Sequence, residues 1–574
     1  MMPEHSEADH LLQRAHAWAA ADPDPATRAE LEALLAAEDY AELHERMLGD
    51  LEFGTAGLRG VVAAGSARMN LAVVIRVTRA LADQLLSRSP DARTLPVVIG
   101  CDARVDSRRF ADAAARVLLA AGIPVRRFAE PVPTPFVAYA VRAYAANAGI
   151  MVTASHNSAE YNGYKLYWHD GVQVVPPTDR EIAARMAALG PACSIPLGVL
   201  AQQGLIGPDL EARYLAAIRA ELPAVRADRR LCIVYTPLHG VGARVVERVF
   251  AEAGYADFHT VSEQREPDGH FPTVPCPNPE EPGALELALA LAKEQNADLL
   301  IANDPDVDRL AIAIPAASGR WFPLSGNQVG LLLADFALSH GDAGAQALVS
   351  SSLVSSPMLE SIATKYGARC ERVLTGFKWV WSAALALEAQ SFRFVFGYEE
   401  ALGYSFGRAV RDKDGIGAAL AFAELAAEAR AEGKTVLDRL HALYRGHGLW
   451  VSVQHNVVLK GAAGAARIAR AMQRLVDAPP AALAGRPVEI VRDWRDCEPG
   501  APAWRGPALL VELRLVGGGR VLARPSGTEP KLKLYVDLEA PLSDDTLIGE
   551  AESTEREAAF ELARALVTVL DLDA

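Results

Sequence analysis

The sequence has 574 residues, with 57 lysines and arginines against 72 aspartates and glutamates, so its formal net charge is −15. An acidic chain repels a polyphosphate backbone, which disfavours general nucleic-acid binding but still allows a small anionic substrate. At about 150 residues per domain the length predicts roughly four domains, and the 51% hydrophobic content excludes general disorder.

The cysteines and the apolar segments indicate the cellular compartment of the protein. The six cysteines lie far apart without a CxxC pair, which disfavours a zinc or redox motif and is typical of a reducing compartment. The first ten residues are acidic without an apolar core, and apolar runs such as LLLADFAL are short. We therefore expect a cytoplasmic protein that does not interact with membranes.

Residues 1–50 have the amphipathic pattern of helices. Thr27 and Glu30 have the spacing of a capping box, and Leu31, Leu34 and Leu35 follow on one face. We expect a helical N-terminal extension over residues 1–50.

Beyond residue 50, short apolar strands alternate with helical patterns, which predicts α/β layers. Three times a strand and a helix are followed by a strand that runs into a polar loop. These later strands cover residues 149–152, 298–302 and 392–396, and their loops are TASHN, NDPDVDR and GYEEALGY. The arrangement is a weak internal repeat, and the carboxyl ends of such strands are where ligands bind.

The last part of the chain has a different pattern. Residues 451–459, 507–516 and 531–540 are predicted strands, and residues 545–570 a terminal helix, as in an α+β domain. We therefore predict these domains: the helical extension 1–50, then 51–222, 223–325, 326–448 and 449–574.

The first polar loop, Thr153–Asn157, contains a serine next to a histidine at a strand end. Ser155 there is a candidate nucleophile or phosphoryl carrier, whereas the alternative is a polar turn in which Ser and Asn bond their own backbone. The glycines of a G-x-S-x-G elbow are absent, which disfavours that type of hydrolase.

The second polar loop contains Asp304, Asp306 and Asp308. Alternate residues of an extended segment project to the same side, so three carboxylates can converge on one hard cation. The EF-hand pattern fails, because Arg309 stands where glycine is needed and Pro315 where glutamate is needed. Magnesium is the expected ion where phosphate is present.

Two further loops offer groups for a phosphosugar. Residues 524–530, RPSGTEP, supply a guanidinium, hydroxyls and backbone N–H groups suited to phosphate, or else form a turn between strands. Glu399 and Glu400 can accept hydrogen bonds from sugar hydroxyls, or else belong to an exposed acidic turn.

In their order along the chain, TASHN, DPDVDRL, GYEEALGY and RPSGTEP resemble the motifs of the α-D-phosphohexomutase superfamily. FGTAGLRG at 53–60, NGYKLY at 162–167 and RDKDG at 411–415 also resemble its segments. The resemblance covers about residues 45–574 and is strongest to the branch of bacterial α-phosphoglucomutases and phosphoglucomutase/phosphopentomutases.

The resemblance implies three related mixed α/β domains and a C-terminal α+β domain, similar to the TATA-binding protein, around a central cleft. It implies that Ser155 becomes phosphorylated and holds Mg²⁺ with Asp304, Asp306 and Asp308, with Arg59, His156 and Lys165 as further catalytic residues. The implied substrate-binding residues are Arg309, Glu399, Lys413, Arg524, Ser526, Gly527 and Thr528.

The implied activity is a mutase that interconverts glucose 1-phosphate and glucose 6-phosphate, with Mg²⁺ as cofactor and glucose 1,6-bisphosphate as intermediate and primer. A phosphosugar is the expected partner of a monomer or weak homodimer. Ala401 and Gly403 stand where many relatives have serine and phosphomannomutases have histidine, so mannose or pentose phosphates remain alternatives. From the residues alone, a metal-dependent sugar phosphatase and a non-catalytic phosphosugar sensor also stay open.

Overall fold

The computed structural model describes residues 5–54, 57–200, 204–316, 318–340, 344–459, 461–496, 500–526, 531–543 and 546–572, without the side chains of residues 5–8, 461 and 462. The chain forms two compact units. The first contains Met1–Leu222, Arg229–Pro323 and Gly403–Ala421, and the second contains Pro223–Asp228, Leu324–Leu402 and Phe422–Ala574.

The chain begins with the helices α1 (His5–Ala21), α2 (Pro25–Ala36) and α3 (Tyr40–Met47), which share a small apolar core. The predicted capping box at Thr27 is wrong. Helix α2 begins at Pro25, and Asp24, three residues before Thr27, caps it by accepting from Ala26 N at 3.1 Å. Thr27 is buried inside the helix and donates to Asp22 Oδ2 at 2.7 Å, so it is not available as a cap.

The next segment forms the first sheet. Its elements are β1 (Leu58–Val61), α4 (Leu71–Arg88), β2 (Val97–Cys101), α5 (Ser107–Ala120), β3 (Val125–Phe128), α6 (Thr134–Ala143), β4 (Ala148–Val152), β5 (Tyr161–Trp168), α7 (Thr178–Ala188), β6 (Leu205–Ile206) and α8 (Pro208–Ala220). The strand order is β1-β5-β4-β2-β3-β6, with β2 parallel to β3 and β4. Gly149 lets α6 pack closely, because a Cβ there would lie 2.5 Å from Val141 Cγ2.

The first unit also contains a second sheet. Its elements are β7 (Ile233–Thr236), α9 (Ala243–Ala253), β8 (Phe258–Thr260), α10 (Ser262–Arg265), α11 (Glu286–Glu294), β9 (Leu299–Ala302), β10 (Ala311–Pro315) and β11 (Trp321–Pro323). The strand order is β11-β10-β9-β7-β8, with β7 parallel to β8 and β9.

A third α/β segment follows. Its elements are α12 (Gly326–His340), β12 (Ala347–Ser352), α13 (Met358–Lys365), β13 (Arg369–Val373), α14 (Phe377–Glu388), β14 (Arg393–Glu399), β15 (Gly403–Phe406), α15 (Gly415–Ala431) and α16 (Val436–His447). Strand β12 pairs in parallel with β13 and β14. Residues 403–421, within the predicted third domain, are part of the first compact unit.

The chain ends in an antiparallel sheet with two helices. Its elements are β16 (Leu449–Val458), α17 (Gly461–Asp477), β17 (Ala482–Leu483), β18 (Arg486–Asp493), β19 (Val511–Leu515), β20 (Arg520–Pro525), β21 (Lys531–Ala540) and α18 (Ile548–Val569). The strand order is β16-β21-β20-β19-β18-β17. Trp494 and Tyr535 of this segment share a core with Leu353 and Leu374, so it packs against the third α/β segment within the second unit.

The predicted fold class is confirmed. Each α/β segment has the same three-strand parallel arrangement, β3-β2-β4, β8-β7-β9 and β13-β12-β14, and an antiparallel α+β segment follows. The loops TASHN and NDPDVDR start at the carboxyl ends of β4 and β9. The first three residues of GYEEALGY form the end of β14, and its last two begin β15. Among the helices of the described residues, none combines the length and apolarity needed to cross a membrane.

Candidate active site

The three aspartates that follow β9 form a compact buried cluster. Asp304, Asp306 and Asp308 are fully buried, and each offers a carboxylate oxygen within 4.8 Å of the others. Val307 between them has a left-handed backbone with φ of 62°, a conformation that costs free energy in a β-branched residue. The loop is thus held in an unfavourable conformation that brings acidic groups together.

Ser155 lies next to this cluster. Its Oγ donates to Asp304 Oδ2 at 2.8 Å and is 3.1 Å from His156 Nδ1. The side chain is buried, and its backbone is left-handed with φ of 54°. A nucleophile and a cluster of carboxylates, predicted from separate loops, are therefore in direct contact.

The backbone of the serine loop is held by residues that follow β2. Arg104 donates to the carbonyl oxygens of Ser155 at 2.8 Å and Asn157 at 2.5 Å. Asp102 accepts from Thr153 Oγ1 at 2.6 Å and pairs with Arg104 at 3.2 Å. This pair was not predicted from the sequence. The position of Asp102, directly after β2, the parallel neighbour of β4, is a signal by which it could have been found.

Thr134 supports the aspartate cluster and was also missed. Its N–H donates to Asp306 O at 2.8 Å and its Oγ1 to Asp306 Oδ2 at 2.5 Å. It lies at the start of α6, in a proline-rich turn with no feature that marks it as functional. The contact therefore emerges only from the tertiary structure.

Four predicted cationic residues surround the cluster. Lys165 Nζ lies 2.7 Å from both Asp306 Oδ2 and Asp308 Oδ2, and Lys413 Nζ lies 3.1 Å from Asp308 Oδ2. Arg309 Nε is 3.8 Å from Asp304 Oδ2, and Arg59 donates to Asn157 Oδ1 at 2.8 Å. These cations offset the carboxylates and can also attract phosphate.

Lys413 reaches the cluster because its segment docks on the first unit. Asp412 accepts from Tyr167 Oη at 2.6 Å and from Gln173 Nε2 at 2.8 Å. A Cβ on Gly403 would lie 2.4 Å from Lys413 Cδ, so the glycine leaves space for the lysine to pass.

Burial and charge shift the titration of the cluster. Burial, together with the charges of Asp306 and Asp308, raises the pKa of Asp304 to about 8. Burial alone would raise the pKa of Asp308 too, but the charges of Lys165, Lys413 and Arg309 outweigh it and lower that pKa. The ionisation of Asp304 therefore gains more from an added cation than that of Asp308 does.

The cationic and imidazole groups are shifted as well. Burial and the charges of Arg309 and Arg59 lower the pKa of His156 well below its usual value, so its imidazole is neutral at pH 7. Burial and the charge of Arg309 lower the pKa of Arg59 to about 10. Burial would lower the pKa of Lys165, but the charges of Asp306 and Asp308 raise it overall, so Lys165 stays charged.

The cluster fits a divalent cation. The buried oxygens Asp306 Oδ1 and Asp308 Oδ1 have no hydrogen-bond partner among the described residues. Unpaired anionic oxygens are costly to bury, and oxygen-only donors are those that Mg²⁺ or Ca²⁺ prefers. Asp304, Asp306, Asp308 and the oxygen on Ser155 would supply the ligands.

The second unit contains the remaining predicted residues. Glu399 ends β14, where its Oε1 accepts from Gly376 N at 2.7 Å. Arg524 lies on β20, near the Tyr535 hydroxyl. Burial raises the pKa of Tyr535, and the charges of Glu400 and Glu399 raise it further, while that of Arg524 lowers it. The loop GYEEALGY at 397–404, here called the sugar loop for its predicted role, therefore lies near Arg524 of this unit. Arg524 begins the segment RPSGTEP at 524–530, here called the phosphate loop for its predicted role.

The phosphate loop is described only in part. Ser526 N donates to Lys531 O at 2.7 Å, which pairs the two ends of the loop. Gly527 and Thr528, predicted to bind phosphate, lie outside the described residues. Arg524 and Ser526 thus lie where β20 ends, next to the start of β21.

Comparison with known proteins agrees with this arrangement. The family models for phosphoglucomutase/phosphomannomutase match in order: alpha/beta/alpha domain I at residues 50–191, domain II at 212–317, domain III at 325–446 and the C-terminal domain at 511–556. All four domains of the family are thus represented in this chain.

Relatives of similar length extend the comparison. A Haemophilus influenzae protein named "Probable phosphomannomutase" is 39% identical over 84% of this chain and 96% of its own length. A Schizosaccharomyces pombe protein named "Probable phosphoribomutase" is 35% identical over 95% of this chain and 96% of its own. The solved structure of parafusin, a phosphoglucomutase from Paramecium, has a TM-score of 0.66 at 18% identity, covering 90% of this chain and 95% of that one, which shows a shared fold.

Proposed function

Because the chain belongs to the phosphoglucomutase/phosphomannomutase family of mutases, we propose that it interconverts glucose 1-phosphate and glucose 6-phosphate through a phosphorylated Ser155. The observation that carries the proposal is the 2.8 Å hydrogen bond between Ser155 Oγ and Asp304 Oδ2. It supports Ser155 as the acceptor, since a phosphoryl group on this oxygen would extend from the edge of the aspartate cluster.

We assign Mg²⁺ to Asp304, Asp306, Asp308 and the oxygen on Ser155, because these donors are hard oxygens and the substrate carries phosphate. The ion would supply Lewis-acid stabilisation of charge on the transferring phosphoryl group. Lys165 orients the carboxylates of Asp306 and Asp308 through its two 2.7 Å contacts. Arg309, Lys413 and Arg59 would balance the charge of the phosphate oxygens.

The proposed reaction has two balanced halves. First, the bond from phosphorus to Ser155 Oγ breaks while a bond from phosphorus to the free sugar hydroxyl forms. The hydroxyl proton leaves and Ser155 Oγ regains a proton, giving glucose 1,6-bisphosphate. Next, the other phosphoryl group of the bisphosphate moves to Ser155 and restores the phosphorylated enzyme. Each cycle thus ends with the phosphate count unchanged.

His156 is suited to the proton at Ser155. Its lowered pKa leaves the ring neutral at pH 7, and Nδ1 is 3.1 Å from Oγ, so the ring can accept or return a proton there. Lys165 remains charged between two aspartates and so acts as a fixed positive charge rather than a base.

Glu399, Arg524 and Ser526 would bind the part of the substrate that does not react. Glu399 Oε1 accepts from Gly376 N, which orients the carboxylate, and carboxylate oxygens can each accept more than one hydrogen bond, including those from sugar hydroxyls. Arg524 and Ser526, with Gly527 and Thr528, would hold the second phosphate. A phosphosugar needs such a second anion site while its other end reacts.

The choice of glucose is supported by the GYEEALGY loop, which resembles the phosphoglucomutase-like branch. The small Gly403 leaves space for Lys413, at a position where the resemblance implies histidine in phosphomannomutases. This difference counts against a mannose phosphate, although a relative 39% identical over 84% of this chain is named a probable phosphomannomutase, so mannose 1-phosphate is included in the test. A pentose phosphate is the second candidate, because a relative 35% identical over 95% of this chain bears the name phosphoribomutase.

The test is an isomerisation assay on glucose, mannose and ribose 1-phosphates, primed with the matching bisphosphate. We expect the highest kcat/KM for glucose 1-phosphate and no net release of inorganic phosphate. A higher kcat/KM for ribose 1-phosphate would favour the second candidate. Stoichiometric release of inorganic phosphate without isomerisation would contradict a mutase.

A further inference from the structure

The second unit contains a cavity of about 310 Å³ that none of the site residues described above lines. Charged residues dominate its wall. They are the arginines Arg372, Arg492, Arg505, Arg514 and Arg520 and the glutamates Glu360 and Glu512. A chain with a net charge of −15 thus concentrates five guanidinium groups around one cavity, a setting that attracts anions.

The arginines differ in how far they are already paired. Four of the five have a carboxylate partner: Arg372 lies 3.3 Å from Glu360, Arg505 lies 2.7 Å from Glu371, Arg514 lies 3.1 Å from Glu512, and Arg520 lies 2.8 Å from Asp537. Arg492 stacks instead on Trp494, with its guanidinium carbon 3.7 Å from the ring centroid. Among the described residues no carboxylate lies within ion-pair distance of it.

Stacking holds Arg492 in place but uses only its face. The N–H groups of a guanidinium lie in its plane, so a stacked arginine can still donate to a ligand at its edge. Arg372 and Arg520 are mostly buried, with side chains 12% and 11% exposed, while those of Arg505 and Arg514 are about half exposed. We call the buried Arg372 and Arg520 the inner arginines of the cavity, and the more exposed Arg505 and Arg514 the outer arginines.

We propose that this cavity is a separate anion site, distinct from the two that would hold the reacting phosphosugar, and that it binds a small phosphate-bearing molecule. Guanidinium groups pair with phosphate oxygens through two parallel hydrogen bonds, which suits them to this ligand class. The volume accommodates inorganic phosphate or a sugar phosphate.

The inner arginines connect the cavity to the sugar loop. Arg372 and Arg520 donate to the carbonyl oxygen of Ser355 at 2.9 and 2.8 Å. The Ser355 hydroxyl in turn accepts from Glu400 N at 3.1 Å and donates to Glu400 Oε2 at 3.2 Å.

A bound phosphate would compete with Ser355 for the N–H groups of Arg372 and Arg520. The Ser355 turn and the adjoining Glu399–Glu400 segment would then loosen. The occupied cavity would thereby weaken the hold of Glu399 on the sugar, a consequence that rests on the function proposed above for Glu399.

The first test measures binding of inorganic phosphate by calorimetry in the Arg524→Ala background, which weakens the proposed substrate phosphate site. We expect phosphate binding that becomes about tenfold weaker when Arg492→Gln is added, since one charge-assisted contact is lost. Arg486→Gln, on the same strand but outside the cavity, is the matched control and should change nothing. Equal affinity in all three proteins would overturn the proposal.

Arg492→Gln leaves no carboxylate unpaired among the described residues, so we expect only the small drop in Tm that follows from losing the stacking on Trp494. In the protein that retains Arg524, basal turnover should be unchanged. A parallel titration with glucose 6-phosphate separates the two ligand sources. Because glucose 6-phosphate also binds the reacting site, the loss of affinity caused by Arg492→Gln is what reports on the cavity. A larger loss for glucose 6-phosphate would identify a sugar phosphate as the ligand, and a larger loss for inorganic phosphate would identify free phosphate.

The second test follows the connection to the sugar loop by hydrogen exchange. In the Arg524→Ala protein, phosphate should speed amide exchange at residues 353–356 and at Glu400, and this change should disappear with Arg492→Gln. Bound phosphate without faster exchange would overturn the connection but not the mutase. If phosphate speeds exchange but the wild-type protein shows no isomerase activity, the proposed function is contradicted while the proposal of an anion site stands.

Discussion

The Ser155 hydroxyl donates to the Asp304 carboxylate at 2.8 Å, although 149 residues separate them in the chain. Each residue lies in a loop that follows a strand of a different mixed sheet, and both loops contain a residue with a left-handed backbone. Such strain persists only where the surrounding structure fixes it, and it is concentrated at functional sites. The pair joins the proposed phosphoryl carrier to the proposed metal ligands.

Asp306→Asn should lower turnover by at least about 10²-fold, because one anionic ligand of the cation is lost and the transferring phosphoryl group is less neutralised. Magnesium titrations of kcat and of intrinsic fluorescence would measure the effect. Asp112→Asn, at a surface ion pair with Arg127, is the control and should behave as wild type. Full activity of the Asp306 variant after chelation would show that turnover does not need a metal ion at this cluster.

Thr134→Val should weaken Mg²⁺ binding by about 10- to 100-fold while the fold is retained, since Thr134 orients Asp306 through a 2.5 Å hydrogen bond. Saturating Mg²⁺ should restore most of the turnover, which separates a positioning role from a general loss of structure. The exposed Thr94→Val is the control. An unchanged magnesium requirement would show that the contact is only structural.

Glu399→Gln should lower kcat/KM for every accepted sugar phosphate, because a neutral amide accepts hydrogen bonds from hydroxyls more weakly than a carboxylate does. The same panel of 1-phosphates used for the wild type would reveal the effect. Glu432→Gln, at an exposed pair with Lys434, is the control. Loss of activity on one sugar alone would mean that Glu399 selects the substrate rather than holding a shared hydroxyl pair.

Arg524→Ala should raise the KM for glucose 1-phosphate by roughly ten- to a hundredfold, the value of one charge-assisted hydrogen bond to phosphate. Magnesium affinity should stay unchanged, since the aspartates belong to the other compact unit. Steady-state kinetics and metal titration together test both parts. A normal KM in a folded variant would show that this loop only connects β20 and β21 and does not bind the substrate phosphate.

The sequence predicts the strands and their loops well because chemistry and periodicity coincide there. Asp304, Asp306 and Asp308 directly follow a fully apolar strand, and the structure confirms their convergence. Local sequence patterns predict less well where several nearby residues could each cap a helix. Thr27 matches a capping box, but the helix begins at Pro25 and is capped by Asp24, three residues before Thr27.

Other features depend on long-range contacts that no local pattern encodes. Thr134 meets Asp306 from 172 residues away, and Arg104 holds carbonyl oxygens more than 50 residues along the chain. Lys413 was predicted from its motif alone. Its docking through Asp412 on Tyr167 places residues 403–421 in the first unit, which its position between later strands does not suggest.

The central claim is that Ser155 carries the phosphoryl group. The most direct measurement is peptide mass spectrometry of the protein after incubation with glucose 1,6-bisphosphate, with Ser155→Ala and the neighbouring Ser158→Ala treated identically. We predict phosphate on Ser155 in the wild type and in Ser158→Ala, and neither phosphate nor mutase turnover in Ser155→Ala. Phosphate on an aspartate, or undiminished turnover of Ser155→Ala, would contradict the account.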